Sequence, residues 1–400
     1  MNGEKVYWQL KEHLDALPVG FPTTESGIEL DILKLLFPSK KQAQLATYLK
    51  LVPEPAWLIY LRVKRKMEIK YKELKQILRE MDQNGVIFGT QRGPWKYYRN
   101  QILAVGMYEF QIGRIKSNPH YGKKFMTKMY QYHEEAFGEE LIKTKTYQSR
   151  IVPVEQSVPH ENFTPRYEDI RHLIKNTSKH ITIADCVCRI GHDKMGEQCT
   201  QTDLRESCFI FGAAADYYVE HGFGRYIEKK KAFEILDRAE KDGLVLQAGN
   251  SQKMNFICTC CACCCGALQA GKMASNTAAF YQTNYYVQIN QELCTGCGTC
   301  LKRCQADALT IFEDKAKVNL KNCIGCGLCV TTCPVKAITL KKTGRNYEPP
   351  KSAYRLFFKI MKERSGRFNV LRTIFNATFR TGLIYFLSVL LILLLFFTIL

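Results

Sequence analysis

Apolar residues recur at helical spacing through much of the N-terminal third of the chain. From Ser26 to Phe37, Ile28, Leu30, Ile32, Leu33, Leu35 and Leu36 form one apolar group, and Pro38 ends it. Ser39 then suits the cap of a second helix reaching about Leu51, where Pro53 and Pro55 interrupt. Leu74, Ile77, Leu78 and Met81 stand at i, i+3, i+4 and i+7, which predicts a third helix stopped by Gly85. Val86-Ile87-Phe88 and Trp95-Lys96-Tyr97-Tyr98 flank a glycine-containing turn and predict a two-stranded wing. Further on, His180–Asp185 reads as a short strand, and 209–222 and 229–243 read as helices. In the second of these, Phe233, Leu236 and Ala239 keep helical spacing and Gly243 serves as the stop. Residues 151–280 are therefore expected to form a helical domain. Alternation returns at Tyr286-Val287-Gln288-Ile289, a strand pattern.

The last stretch, Leu383 to Leu400, holds eighteen residues without a charge. As a helix it would measure roughly 27 Å, long enough for the hydrocarbon core of a bilayer. Residues 382–400 are accordingly expected to be a single-pass transmembrane tail anchor. Lys359, Lys362, Arg364, Arg367, Arg372 and Arg380 precede this span, which places the body of the chain on the cytoplasmic side. Leu356, Phe357, Phe358, Ile360 and Met361 alternate with these bases, so 346–381 reads as a basic amphipathic juxtamembrane segment. The opening residues contain no apolar core of signal-peptide length.

Charge sharpens this division. Residues 1–150 carry 25 Lys/Arg against 16 Asp/Glu, and 341–400 carry 11 against 2, so most of the formal net charge of +19 lies in the two flanks. The order of helices and hairpin within 1–150 is similar to a winged-helix domain, and Lys70, Lys72, Lys75 and Arg79 populate its third helix. Nucleic-acid binding is one reading of that face. An acidic redox partner protein or an anionic lipid surface accounts for the charge equally well.

All 18 cysteines lie between residues 186 and 333. Clustered thiols in a reducing compartment point to metal ligation rather than to a disulfide scaffold. Cys294, Cys297, Cys300 and Cys304 form one C-x2-C-x2-C-x3-C run, and Cys323, Cys326, Cys329 and Cys333 form another. This spacing lets three thiolates of one loop meet three corners of an iron–sulfur cube, with glycines 296, 298, 325 and 327 allowing the backbone to wrap closely. The other ten cysteines fall into two groups: Cys186, Cys188, Cys199 and Cys208, then Cys258, Cys260, Cys261, Cys263, Cys264 and Cys265. Further iron–sulfur clusters and zinc both remain open for these. His180 and His192 lie nearby and read as ordinary histidines rather than ligands.

The paired runs resemble a bacterial-type ferredoxin with two [4Fe–4S] clusters, over residues 283–345. The resemblance implies that the fourth cysteine of each run ligates the other cluster. One cluster would then take Cys294, Cys297, Cys300 and Cys333, and the second Cys323, Cys326, Cys329 and Cys304. Proline follows Cys333, as the family pattern asks, whereas Gln305 follows Cys304. More loosely, residues 20–343 look like multidomain ferredoxin-type proteins of anaerobic bacteria. The expected architecture is α+β: a winged-helix-like domain at 1–150, a helical cysteine-rich domain at 151–280, the ferredoxin-like dicluster domain and the membrane tail. The expected function is membrane-anchored electron transfer. A redox-sensing regulator with a DNA-binding winged helix and an iron–sulfur subunit of a membrane oxidoreductase are the alternatives. No nucleotide-binding loop or catalytic triad stands out.

Overall fold

A computed structural model of the chain describes residues 3–158, 168–177 and 180–364. The expected transmembrane tail at 382–400 and the juxtamembrane residues after 364 lie outside the described residues. No helix among the described residues is long and apolar enough to cross a membrane.

The N-terminal part begins with helices Gly3–Asp15, Ile28–Leu36, Lys40–Ala46, Ala56–Val63 and Tyr71–Gln83. A small sheet follows, built from β1 (Glu54–Pro55), β2 (Ile87–Arg92) and β3 (Trp95–Asn100) in the order β1-β3-β2. Helix Tyr71–Gln83 buries the expected Leu74, Ile77, Leu78 and Met81. Ser39 caps its helix as expected, its hydroxyl accepting from the Lys41 N–H. Pro55, which the sequence suggested as an interruption, instead stands at the N-cap of Ala56–Val63, where the fixed φ of proline suits a helix start. Gly85 takes φ +68°, and a Cβ there would meet the Phe110 side chain at 2.6 Å.

The central part corrects one expectation. Residues 151–280 are not a helical domain but are organised on an antiparallel sheet. Its strands are β4 (Ser149–Val152), β5 (Ile181–Asp185), β6 (Glu206–Phe211), β7 (Gly224–Ile227), β8 (Val245–Gly249) and β9 (Phe256–Cys260), in the order β4-β8-β9-β6-β5-β7. The helix expected over 209–222 is a strand, a glycine at φ +67° and then a shorter helix, Ala213–Glu220. The apolar run Phe209-Ile210-Phe211 is buried throughout, and such a run carries neither helical nor strand periodicity. Helix Lys229–Lys241 forms as expected, with Gly243 at φ +78° just beyond it.

One continuous core joins the two parts, running from the first helix through Phe125 and Tyr132 of helix Pro119–Tyr132 to Ile183 and Phe209 of the sheet. Asp82, at the end of the third expected helix, ties them together. Its carboxylate lies 2.6 Å from Lys96 Nζ and 3.4 Å from His221 Nε2, and it accepts from the Gly89 N–H. Burial alone would raise the Asp82 pKa, but the hydrogen bonds from His221 and Lys96 hold it below the ordinary carboxylate value. Phe88 of the hairpin stacks on Tyr217 of helix Ala213–Glu220 at 4.4 Å, so one side of the wing is packed against the central part.

A last helix covers 353–364 and returns to the body. It buries Leu356 and Ile360, and its Arg364 pairs with Asp15 at 2.8 Å and with Glu140 at 2.5 Å. Arg364, expected among the membrane-facing bases, therefore serves as an internal clamp.

Candidate metal centres

The ferredoxin-like part folds around two antiparallel pairs. β10 (Tyr285–Ile289) pairs with β13 (Ile338–Lys342), and β11 (Leu309–Phe312) pairs with β12 (Lys315–Val318). Its own small core includes Val287, Leu309, Ile338 and Leu340. The cysteine loops lie between these strands and enclose two small cavities of about 20 Å³ each. One is lined by Cys294, Cys297, Cys300 and Cys333, the other by Cys304, Cys323, Cys326 and Cys329. The structure thus brings together the crosswise sets that the resemblance implied.

Backbone geometry supports the thiolates. The four loop glycines all take positive φ, between 64° and 76°. A Cβ on Gly296 would stand 2.2 Å from the Asp314 carbonyl oxygen, and one on Gly325 would stand 2.3 Å from that of Tyr285. The N–H groups of Ala308, Ala316 and Ala337 donate to the sulfurs of Cys304, Cys294 and Cys333 at 3.3, 3.4 and 3.3 Å. Such bonds favour the thiolate and offset the negative charge of a bound cluster. The two cavities differ in setting. The first has the exposed Cys297 on its wall, whereas the loop of the second is pressed against the central part. Cys326 O accepts from the Val154 N–H at 3.0 Å, and a Cβ on Gly327 would collide with the Ser157 hydroxyl.

Gln305, the departure from the family pattern, belongs to this contact. Its buried side chain accepts from the Ala262 N–H at 2.8 Å and donates to Gln201 Oε1 at 3.0 Å. Ala262 stands inside the run Cys260–Cys265. A proline could make neither bond. Arg303, two residues earlier, caps the carbonyl end of helix Lys229–Lys241 through Lys241 O at 2.5 Å and Glu240 O.

The ten central cysteines do not form the two sequence groups. They regroup across them. Cys199 lies 3.7 Å from Cys261 and 3.6 Å from Cys263, Cys263 lies 3.6 Å from Cys264, and all four sulfurs are within 4.8 Å of one another. The other six, Cys186, Cys188, Cys208, Cys258, Cys260 and Cys265, line a cavity of about 120 Å³, whose wall Cys261 and Cys264 also reach. Strand β5 delivers Cys186 to the N-cap of helix Val187–Met195, with Cys188 in its first turn, as expected. Cys265 is the N-cap of helix Gly266–Met273. Cys208 and Cys258 face each other across β6 and β9 with sulfurs 4.0 Å apart, and Cys260 follows two residues on, on the same sheet face.

The cavity also has walls that no motif announced. Tyr108 Oη lies 3.8 Å from Cys188 Sγ, and Tyr130 Oη donates to Cys264 O at 2.8 Å. Burial pushes the Glu109 carboxyl up to about 8, although the Gly106 N–H opposes this from 2.6 Å. Arg189 is fully buried and donates to Leu204 O at 2.6 Å, Ser207 Oγ at 2.9 Å and Thr259 O, and its guanidinium also meets the Cys261 thiol. Burial alone would weaken its proton, but Cys186, Cys261 and Cys260 around it raise its pKa and keep it cationic. His180 pairs with Asp216 at the surface, and His192 packs edge-on against Tyr130.

Among known proteins, a sequence family described as a 4Fe-4S dicluster domain matches residues 287–340. No curated protein matches the chain. Residues 287–340 are therefore a 4Fe-4S dicluster domain, and the chain binds iron–sulfur clusters there. The matched segment is a small part of the 400 residues and names no reaction for the rest.

Proposed function

We propose that the chain is a membrane-anchored electron-transfer protein whose dicluster domain passes single electrons between an outside partner and the cysteine-rich interior. The observation that carries this reading is the pair of four-cysteine cavities, one with a surface cysteine and one wedged against the central cysteine run through Gln305. Two [4Fe–4S] clusters would be held by Cys294, Cys297, Cys300 and Cys333 and by Cys323, Cys326, Cys329 and Cys304. When bound, they supply one-electron chemistry, with iron alternating between ferric and ferrous states at fixed thiolate geometry. The protein's own contribution is the N–H···S bonding, the dry inner wall and the glycine turns.

A partner would dock where the outer cavity meets solvent. The dicluster domain exposes Leu293, Phe312, Leu320 and Val335, and Val335 also lines the outer cavity. Exposed apolar groups of this size on a small domain suit a transient protein contact. At the other end, the 353–364 helix buries Leu356 and Ile360 but leaves Tyr354, Arg355, Phe358, Lys359 and Lys362 outward, a pattern suited to an anionic leaflet. The rival DNA-binding reading keeps the exposed Lys70, Lys72 and Arg79 of the third helix, whereas Lys96 and Phe88 of the hairpin are committed to internal contacts.

The test is paramagnetic resonance of the anaerobically purified, dithionite-reduced full chain. Interacting signals from two reduced cubes are expected, and a combined Cys304→Ser and Cys333→Ser variant should abolish both. An iron-free protein loaded with zinc at these eight cysteines would overturn the reading. Fractionation of the full chain in lipid vesicles, with release by detergent but not by salt, tests the anchor; release by salt alone would oppose it.

A further inference from the structure

Four sulfurs of the central part gather more tightly than those of either dicluster cavity. Cys199 lies 3.7 Å from Cys261 and 3.6 Å from Cys263, Cys263 lies 3.6 Å from Cys264, and no pair among the four is more than 4.8 Å apart. Neither dicluster set is drawn so close. The difference is a chemical one. An iron–sulfur cube interposes iron and sulfide between its thiolates and holds them apart, whereas one ion bonds all of its ligands at a single centre. A tetrahedral zinc ion with Zn–S bonds of about 2.3 Å sets its sulfurs roughly 3.8 Å apart, close to the three distances of this group.

Burial and charge agree with such an ion. Cys261 and Cys264 are buried, Cys199 and Cys263 are partly so, and all four pack with Ala239, Leu244 and Leu204. Thiolates crowded into an apolar setting repel one another, and a divalent cation at their centre cancels two of the four negative charges. Arg189, whose guanidinium meets the Cys261 thiol, offsets part of what is left. With sulfur in all four tetrahedral positions, no place stays open for water or a substrate. That is the ligand set of a structural zinc site and not of a catalytic one.

The four cysteines come from two distant segments. Cys199 lies between helix Val187–Met195 and β6, 62 positions before Cys261, and the other three stand just after β9. An ion shared by both segments closes a long loop and, like other cross-links of that span, restricts the unfolded chain. The same two segments meet the dicluster domain. Gln201 Oε1 accepts from Gln305 at 3.0 Å, and the N–H of Ala262, between two of the cysteines, donates to Gln305 at 2.8 Å. Holding the four sulfurs together therefore fixes both partners of Gln305.

We propose that Cys199, Cys261, Cys263 and Cys264 bind one tetrahedral zinc ion, which clamps residues 196–205 to residues 260–265 where the dicluster domain rests on them. Zinc has no redox chemistry, so this centre carries no electron and serves to hold the junction in place. Ion binding depends on these four residues alone and holds whether or not the chain transfers electrons.

Metal analysis of the anaerobically purified full chain, with X-ray absorption at the zinc edge, tests the clamp. About one zinc per chain is expected, bound by four sulfurs at about 2.3 Å with no second metal beside it. The zinc should persist in the Cys304→Ser/Cys333→Ser variant, which separates it from zinc misloaded into the dicluster domain, and should be lost in Cys199→Ser. A dicluster resonance signal retained in Cys199→Ser shows that this variant is folded, and amide hydrogen exchange in 196–205 and 260–265 should then quicken about tenfold or more. A zinc-free wild type, zinc lost with Cys304 and Cys333, iron in place of zinc at the Cys199-dependent site, nitrogen or oxygen ligands at the zinc edge, or unchanged exchange would each overturn the proposal. If Cys199→Ser does not fold, the zinc content and edge of the wild type still decide. Failure of the dicluster reading would instead appear as missing iron and a missing resonance signal, with the Cys199-dependent zinc still bound.

Discussion

The dicluster domain and the central cysteine sites use the same side chain in opposite ways. In the domain, each cavity draws three cysteines from one tight loop and a fourth from the matching loop, so the spacing of the repeat almost specifies the grouping. In the central part, the cysteines arrive from a strand end, two facing strands, a helix cap and a loop that are up to 79 positions apart, from Cys186 to Cys265. Neighbours in sequence then part: Cys260 and Cys265 face the cavity, Cys263 belongs to the four-sulfur group, and Cys261 and Cys264 stand where the two meet. A repeat builds a site locally; a fold sorts ligands that the sequence leaves mixed.

The largest effect separating the two should come from ligand loss in the domain. Cys304→Ser is expected to remove the inner cluster, about half of the domain's iron, while the far-ultraviolet dichroism of the N-terminal and central parts stays unchanged. Loss of the whole fold would show that the inner loop is needed to hold the central part together.

Asp82→Asn probes the long-range half. It removes the buried carboxylate that Lys96 and His221 share and should cost about 1.5–3 kcal/mol in urea unfolding. The pH dependence has a definite sign. The Asp82 pKa is lower in the folded chain, so its contribution is present above the unfolded carboxylate value of about 3.9 and is lost as pH falls through the folded value. Stability of the wild type should therefore fall more steeply on acidification than that of Asp82→Asn; parallel curves would contradict the role given to Asp82.

Gly325→Ala should cost more than about 1 kcal/mol and weaken cluster retention, because φ is +64° and the new Cβ would meet the Tyr285 carbonyl. The same change at Gly344, also at positive φ but in open space, should cost less. The most selective effect is expected at the junction. Gln305→Ala removes two hydrogen bonds and should cost about 1–2 kcal/mol, leaving cluster content intact but slowing electron passage from the domain to the interior. An unchanged internal transfer rate would detach Gln305 from that path.

These contrasts also show what the sequence could disclose. Helices with regular spacing, such as Tyr71–Gln83 and Lys229–Lys241, were legible from their own residues, as were the hairpin and the cysteine repeats. Of the central sheet only β5 was, because strands buried on both faces, like Phe209–Phe211, lose the alternation that marks a strand. Glu109 and Arg189 were equally hidden: each gains its significance from walls supplied by distant segments. Gln305 was visible as a departure, but its reason appeared only when Ala262 was found opposite it. Arg364 was misplaced for a related cause, since a base on an amphipathic helix reads alike whether it meets lipid or a buried carboxylate.

Electron transfer through the dicluster domain is tested most directly by a stepwise reductive titration of the full-length chain, followed by paramagnetic resonance. The expected result is two interacting one-electron signals, at potentials within the roughly −700 to +450 mV range of such clusters, both lost when Cys304 and Cys333 are replaced. A chain that takes up no electrons at these eight cysteines, with zinc in place of iron, would contradict it.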